Sequence, residues 1–308
     1  MTAQIDMAET AWELPTRERG LWSDAFRRLT RNRLAMAGLA VLIVVATISI
    51  GSGYIQAIRR YHPYQHQDYQ AIQEGPSLNH FFGTDNLGRD NWSRVLTGVG
   101  ISVEIGLGTQ AIVLLFGLAV GAAAALGGRL SDNILMRLTD ITYAFPDLLF
   151  IILMRSILSE RHWLVLGNPR VQVMLAIAMV NWTTLARLVR GQMLSLAERD
   201  YVVAARALGA SNRRIVFRHM LPNTLGPVIV AVTFGIPIAI FAEAALGFIG
   251  FGLPPPTASL GRLVSDGYTY IQVNPWVVTF PAAAIALLML CFTFVGDGLR
   301  DALDPRQR

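Results

Sequence analysis

The sequence predicts an all-α membrane protein with six transmembrane helices and a cytoplasmic helix-turn-helix segment. Apolar residues make up 53% of the 308-residue chain and charged residues only 15%, whereas a soluble domain carries about a quarter charged residues. Six apolar stretches reach, or nearly reach, the roughly 20 helical residues that a bilayer core requires. Residues 191–223, between two of these stretches, are too rich in arginine to face lipid.

The six predicted spans follow in order along the chain. Asp140, Pro146 and Asp147 interrupt the third span, and the fourth is short and ends in polar residues. The other four are uninterrupted apolar runs of the length that a transmembrane helix needs. The predicted spans cover residues 34–53, 101–126, 137–158, 172–189, 224–250 and 276–297.

The spans also define the parts of the chain outside the bilayer. Residues 1–20 are predicted to be a disordered tail, and residues 21–33 an interfacial helix with Leu21, Trp22 and Phe26 on one face. An ordinary charged flank explains the second pattern nearly as well. The expected parts are a cytoplasmic segment at 1–33, the first transmembrane helix at 34–53, an extracytoplasmic loop at 54–100, a five-helix core at 101–297 and a cytoplasmic tail at 298–308.

The distribution of arginine predicts the orientation. Six spans place both termini on one side of the membrane, together with the loops at 127–136 and 190–223. That side carries 18 of the 26 basic residues when each is assigned to its nearest span end. Because positive residues are retained on the cytoplasmic side, we expect the termini and residues 190–223 in the cytoplasm.

Two compositional absences exclude several functions. All 26 basic residues are arginine, and a P-loop needs a lysine to reach the nucleotide phosphates. We therefore expect that this chain does not hydrolyse ATP by that route. Its single cysteine, Cys291, excludes an internal disulfide and a cysteine-rich zinc site.

Residues 192–223 are predicted to form two helices joined by a tight turn. Residues 192–208 form the first helix, and Gly209 suits the left-handed position that follows a helix end. Ser211 can cap a second helix, which is expected to end where Pro222 begins the next span.

This turn presents small side chains next to positive charge. Ala204, Ala205 and Ala207 leave a surface with little side-chain bulk, which another protein's backbone can approach closely. The nearby arginines could pair with carboxylates around such a contact; they are Arg206, Arg213, Arg214 and Arg218. The alternative is a polar connector whose arginines bind lipid phosphates.

Acidic residues within spans are costly and often functional. Glu243 lies deep in the fifth span and is the best candidate for a pore or subunit-interface role; a structural hydrogen bond to a neighbouring helix is the alternative. Asp140 and Asp147 flank one half of the third span, where pairing with Arg137 or with a partner subunit is expected.

The predicted extracytoplasmic loop carries two polar clusters. His62, His66 and Asp68 resemble a metal-ligand set, but Pro63 prevents a helix from aligning them and no fourth ligand follows, so no metal site is expected. The turn-rich stretch that follows carries paired charges and should form an ordered fold beside the pore entrance; these charges are Asp85, Arg89 and Asp90.

Six ordered motifs resemble the dipeptide, oligopeptide and nickel permease family of ABC importers, and in particular its C-type subunit. The similarity runs from residue 21 to 306, and "AARALGAS" with the later Leu-Pro pair resembles the family's cytoplasmic EAA loop. The motifs are FGTDNLGRDNWSR (82–94), LTDITYAFPDLL (138–149), AARALGAS (204–211), RHMLPN (218–223), GFGLPPPTASLGRLVSDG (250–267) and GDGLRDALDPR (296–306).

The resemblance implies a pore-forming subunit of the bacterial plasma membrane, with no nucleic-acid partner. It implies pairing with a homologous second permease, docking of two ATPase subunits that bind ATP and Mg²⁺, and delivery of cargo by an extracytoplasmic binding protein. The chain itself would bind no cofactor and would contact membrane lipid. Peptides are the expected cargo, ahead of nickel chelates and other small solutes.

The same resemblance assigns ATPase coupling to residues of the EAA loop. Two positions depart from the general pattern: Val203 replaces the usual glutamate, and His219 replaces an isoleucine, as is common in the peptide branch. The implied coupling residues are Val203, Ala204, Ala205, Arg206, Gly209, Ala210, Ser211, Arg213, Arg218, Leu221 and Pro222.

Two other classes fit less well. An ion-coupled secondary transporter would use Asp147 or Glu243 as its coupling carboxylate but would not need residues 201–223. An intramembrane protease would need paired membrane motifs that the sequence lacks, and no HExxH or GxSG motif is present.

Overall fold

The structure is a computed structural model that describes residues 21–54, 64–160 and 167–304. The tail predicted over 1–20, the predicted ligand His62 and residues 305–308 lie outside the described residues. Within the described ranges the chain is helical, with one isolated bridge between Thr84 and Asp90 and no strand.

Eleven α-helices and one π-helical turn make up the described part. The helices are α1 (Leu21–Arg31), α2 (Arg33–Tyr54), α3 (Asn91–Leu126), α4 (Gly128–Tyr143), α5 (Asp147–Ser159), α6 (Pro169–Ala197), α7 (Asp200–Ala207), α8 (Asn212–Ile215), α9 (Leu221–Ile249), α10 (Leu260–Tyr268) and α11 (Trp276–Leu303). The π-helical turn, Val216–Met220, joins α8 to α9.

The predicted fold class is confirmed. In the described ranges, α3, α6, α11 and the continuous helical stretch Asn212–Ile249 are each long and apolar enough to cross a membrane. If each of two bent helix pairs is counted as one span, the number rises to six: α1 with α2, which meet at 89°, and α4 with α5, which meet at 96°.

The third predicted span, 137–158, corresponds to a bent helix pair that begins earlier, at Gly128. The chain turns through 96° between α4 and α5, and Pro146 occupies the extended position before α5. The proline ring excludes the helical conformation at the residue before it, which ends α4 near this point. The fourth predicted span was too short, since α6 extends over Pro169–Ala197.

Helix α3 begins ten residues before the predicted span, inside the expected extracytoplasmic loop. Asp90 caps it by accepting a hydrogen bond of 2.8 Å from the Ser93 amide. This cap satisfies an amide that the first helical turn leaves unpaired. The sequence 64–90 therefore folds directly onto the outer end of a transmembrane helix.

The packing of α3 against α6 forms the centre of the bundle. At Gly121 of α3, a side-chain carbon would lie 2.7 Å from Cβ of Val189 and 2.5 Å from the Ala186 carbonyl oxygen. Gly117 is equally close to Leu185. Small residues allow helix backbones to approach closely in lipid, where van der Waals packing holds helices together.

The close approach at Gly121 makes a testable prediction. Gly121→Val should lower the free energy of unfolding by about 1–3 kcal/mol, because its side chain overpacks the contact with α6. Thermal unfolding of the purified protein in detergent measures the change. Gly191→Val is the matched control, since its Cβ position is open, and it should change stability by no more than about 0.5 kcal/mol. Equal stability of the two variants would contradict the role of Gly121.

Candidate functional site

The turn between α7 and α8, which the sequence predicts to be cytoplasmic, has a well-defined geometry. Gly209 has a φ of +82°, the left-handed conformation that the sequence predicted. Its amide donates to the Arg206 carbonyl oxygen at 3.0 Å, and the Ala210 amide donates to that of Ala205 at 3.0 Å. This pair of hydrogen bonds is the Schellman motif, which closes a helix end. The Ser211 hydroxyl oxygen then caps α8 by accepting from the Arg214 amide at 3.4 Å.

Apolar side chains anchor this turn to the bundle. Val202 of α7, Ile215 of α8 and Met220 of the π turn are buried in one cluster with Val189 and Met193 of α6. Because these contacts lie on both sides of Gly209, the turn is held at a fixed position relative to the transmembrane helices.

The opposite face of the turn projects outward. Leu208 is 89% exposed, Val203 is 50% exposed and Phe217 is 63% exposed. Ala204 and Ala207 are exposed between them, and Ala205 is half-buried. A groove of about 360 Å³ runs beside this face and is lined by Ser211, Arg213, Arg214 and Phe217. The exposed face thus combines an apolar projection with arginine side chains.

The turn is continuous with the fifth span, which differs from the prediction. Pro222 was expected to separate the second helix from the span, but helical structure continues from Asn212 to Ile249. The Leu221 amide reaches back five residues to the Val216 carbonyl oxygen, and the wider π turn carries the chain into Pro222. A displacement of the turn therefore acts directly on α9.

The first predicted helix, 192–208, is two helices. Helix α6 ends at Ala197, and Arg199 adopts the extended conformation before α7 begins at Asp200. The break changes the direction of the chain, and Val202 packs against the bundle. An uninterrupted helix along the axis of α6 would carry Val202 away from it.

Two ion pairs tie α4 to the same half of α6. Arg190 binds both carboxylate oxygens of Asp132, with an Nη2–Oδ2 distance of 2.6 Å. Arg187 donates to Asp140 at 3.0 Å and lies over the Tyr143 ring at 4.8 Å from its centre. Asp140 was expected to pair with Arg137 or with a partner subunit; within this chain, Arg187 of the facing helix is its partner.

The remaining predicted intramembrane acids lie in contrasting surroundings. Asp147 is exposed in the first turn of α5, where the helix dipole favours a negative charge. Glu243 is fully buried in α9 and accepts a hydrogen bond of 2.9 Å from the Ser102 hydroxyl of α3. Within this chain, Glu243 thus joins α9 to α3.

On the opposite side of the membrane, a charge network joins the 64–90 segment to α10. Asp85 is buried and accepts from Arg89 at 2.7 Å and from Arg94. Arg94 also donates to Asp266 of α10 at 3.3 Å, and Asp266 accepts from Arg262 at 2.9 Å. The predicted entrance residues Asp85 and Arg89 therefore lie together. Arg89 and Arg94 line a cavity of about 460 Å³ that also contacts Pro255, Pro256 and Tyr270, and Asp85 is buried behind them.

Asp90, the third predicted entrance residue, does not join this network. Its carboxylate caps α3 and lies 3.0 Å from Nδ1 of the buried His80. Asp90 thus holds the loop against the helix. Among the described residues, no group of three or more His, Cys, Asp or Glu side chains could hold a metal ion.

Sequence reasoning missed Arg94, Asp266 and the Asp132–Arg190 pair. Arg94 and Asp266 each close one of the quoted motifs, 82–94 and 250–267. The sequence did contain a signal for this pair: a positive residue ends one motif, a negative residue lies near the end of the other, and both motifs are predicted on the same side of the membrane. Asp132 and Arg190 had no comparable signal, because the bend that brings α4 to α6 was not predicted.

Comparison with known families identifies the architecture. Residues 93–308 match the family model described as the inner membrane component of binding-protein-dependent transport systems. The chain belongs to this family. Residues 20–76 match a second model, the N-terminal transmembrane domain of oligopeptide transport permease C. A multi-pass membrane component agrees with the four long helices and two bent pairs of the described residues.

Curated relatives match nearly the whole chain. The oligopeptide transport system permease protein OppC of Bacillus subtilis is 38% identical over 301 residues, covering 98% of this chain and 95% of the relative. The dipeptide transport system permease protein DppC of Alkalihalophilus pseudofirmus is 38% identical, with 93% and 90% covered. OppC of Escherichia coli is 38% identical, with 96% and 95% covered.

A solved structure supports the fold independently. An inward-facing conformation of the MetNI methionine ABC transporter matches with a TM-score of 0.55 at 20% sequence identity. The match covers 68% of this chain and 96% of the matched chain. The helical core thus has the fold of an ABC transporter membrane subunit.

The buried charge network makes a second prediction. Arg94→Met should destabilise the protein by about 3 kcal/mol, because it leaves the buried Asp85 carboxylate with one cation fewer. Arg170→Met, which breaks the exposed pair with Glu104, is the control and should cost no more than about 1 kcal/mol. Thermal unfolding in detergent compares the two. A smaller loss for Arg94→Met than for Arg170→Met would show that the network does not hold the outer loop.

Proposed function

We propose that this chain forms part of the translocation pathway of an ATP-driven peptide importer in the bacterial plasma membrane. In this function it pairs with a homologous second permease, and two separate ATPase subunits dock on residues 201–223 from the cytoplasm. An extracytoplasmic binding protein delivers the cargo. ATP and Mg²⁺ are bound and turned over by the ATPase subunits, and this chain is not itself an enzyme.

The cytoplasmic turn at Gly209 is the observation that carries this proposal. Its base is fixed by Val202 and Ile215, its tip projects through Leu208, and its far end continues into α9. These features are the ones that a mechanical coupling element needs, because ATP can drive transport only if docking differs between two states of the spans.

The exposed face of the turn suits a carboxylate-rich partner. Arg206, Arg213 and Arg218 are exposed, and arginine forms two-pronged hydrogen bonds with carboxylates. The exposed Val203 offers an apolar contact at the position where related loops carry glutamate. The alternative role, binding of lipid phosphates, would explain the arginines but not the exposed Leu208 or the small alanine surface.

Peptide cargo is proposed from the relatives, whose names specify oligopeptide and dipeptide transport. Nickel chelates or other small solutes are the second candidate. The ion-coupled transporter is disfavoured by geometry: Glu243 is fully buried against Ser102, and Asp147 is exposed in the first turn of α5.

The proposed orientation can be tested by cysteine labelling. In a Cys291→Ser background, Gly75→Cys should react with a membrane-impermeant thiol reagent in intact cells, whereas Asn212→Cys should react only after permeabilisation. Both positions are exposed, and the arginine bias places Asn212 inside. The reverse pattern would contradict the cytoplasmic location of the coupling turn.

Substitution of Gly209 tests the coupling function. Gly209→Val should retain membrane insertion and the second permease but lose co-purifying ATPase subunits and cargo uptake. A β-branched residue at a φ of +82° costs about 1–3 kcal/mol in local strain, which lowers a docking equilibrium by about 5- to 150-fold. Pull-down of the ATPase subunits and uptake by whole cells are the two measurements.

Gly191→Val is the matched control for this experiment. Both glycines have an open Cβ position, but Gly191 lies within α6 and only Gly209 of this pair has a positive φ. The control should retain ATPase binding and uptake. Loss of insertion in Gly209→Val would show a folding role, and normal docking together with normal uptake would exclude coupling through this turn.

A further inference from the structure

A small cavity lies between α3, α6 and α9, within the membrane-spanning part of the bundle. It has a volume of about 150 Å³. Its polar lining residues are Gln110 of α3 and Asn181 and Thr184 of α6, and Gly235 and Phe234 of α9 lie opposite. The side chains that line it in the described part of the chain carry no formal charge.

Gln110 is the unusual member of this set. It is only 3% exposed, and its Nε2 has no hydrogen-bond partner among the described residues. An amide group buried in this way costs free energy unless something hydrogen-bonds it. The glutamine is therefore poorly explained as a structural residue and well explained as a group that meets a ligand.

Gly235 creates the space that the Gln110 amide occupies. A side-chain carbon at position 235 would overlap that amide, whose Nε2 lies 2.7 Å from the carbon position. Any other residue at 235 would displace Gln110 or narrow the cavity. The position of the Gln110 side chain in the α3–α9 contact thus depends on the glycine at 235.

The cavity opens onto a polar surface of the bundle, which is unsuited to contact with lipid. Thr184 is exposed there beside Asn181, and polar groups in spans face the bundle interior or a water-filled path. Two of its lining residues, Leu188 and Ala231, also line a second cleft of about 650 Å³ that reaches Gln192, Asn223 and Arg300 at the cytoplasmic helix ends. The two cavities are therefore neighbours along α6 and α9.

We propose that Gln110, Asn181 and Thr184 contact the main-chain amides of a passing peptide, as this chain's cargo-contact site in the translocation pathway. This inference rests on the proposed peptide-import function. Side-chain amides and hydroxyls both donate and accept hydrogen bonds, so they fit the alternating N–H and C=O groups of any peptide backbone. The uncharged lining neither attracts nor repels a particular cargo side-chain charge.

Cysteine protection tests the location of the cargo. In a Cys291→Ser background, Asn181→Cys and Thr184→Cys in the reconstituted importer should react with a small hydrophilic thiol reagent. Cargo peptide with its binding protein and ATP should slow this reaction about tenfold. Met179→Cys is the matched control: it is exposed on the same helix but does not line the cavity, so cargo should not change its reactivity.

Substitution of Gln110 tests the hydrogen-bonding role. Gln110→Leu should reduce peptide uptake per ATP hydrolysed about tenfold, the effect expected of one lost hydrogen bond. ATPase docking should persist, because Gln110 belongs to α3 and not to the coupling turn between α7 and α8. Gln110→Glu retains an acceptor but adds a charge, and its uptake should fall more for acidic than for basic peptides of equal length.

The outcomes separate this inference from the function on which it rests. A wild-type importer that takes up no peptide overturns the proposed function. A wild-type importer that takes up peptide, with no cargo protection at 181 or 184, overturns the cargo-contact site. Should Gln110→Leu misassemble, the cysteine measurements still decide, since they leave Gln110 unchanged. Equal uptake per ATP in Gln110→Leu and wild type would show that Gln110 only fills space.

Discussion

The close packing of α3 against α6 is the contact on which the rest of the structure depends. It is made possible by Gly117 and Gly121, which bring the two backbones together where van der Waals contact holds helices in lipid. The outer end of α3 carries Arg94 and its charge network. The inner half of α6 carries the Val189 and Met193 platform under the coupling turn. One helix pair therefore fixes both functional ends of the subunit.

Charged side chains are buried and paired at one end of the subunit and exposed at the other. At the end that holds the 64–90 segment, Asp85, Arg94 and Asp266 are joined within this chain, so the loop is tied to α10. At the opposite end, Arg206, Arg213 and Arg218 are exposed. Because an exposed arginine binds a carboxylate at little desolvation cost, this end suits the changing contact with an ATPase that the proposed function requires.

The sequence predicted the features of short segments but not the contacts between residues that are distant in the chain. Apolar runs predicted the spans, and the need for a positive φ identified Gly209, because both are properties of short segments. The 96° bend next to Pro146 was not predicted, because the apolar residues on both sides of the proline were interpreted as one span. The Arg94–Asp266 contact joins residues 172 positions apart, and the unpartnered Gln110 is defined by Gly235 on another helix. Such contacts depend on packing, which no local pattern encodes.

Helix α9 links the two proposed sites, and its own sequence explains how. Its outer part is held by Glu243, which hydrogen-bonds Ser102 of α3, while its inner end continues into the coupling turn. Pro227 and Pro237 lie between these ends, and each removes a backbone hydrogen bond and so permits bending. Gly235 lies beside Pro237, at the wall of the Gln110 cavity. Bending of α9 at Pro237 would therefore move the wall of the cavity, while bending at Pro227 would move the end that carries the turn.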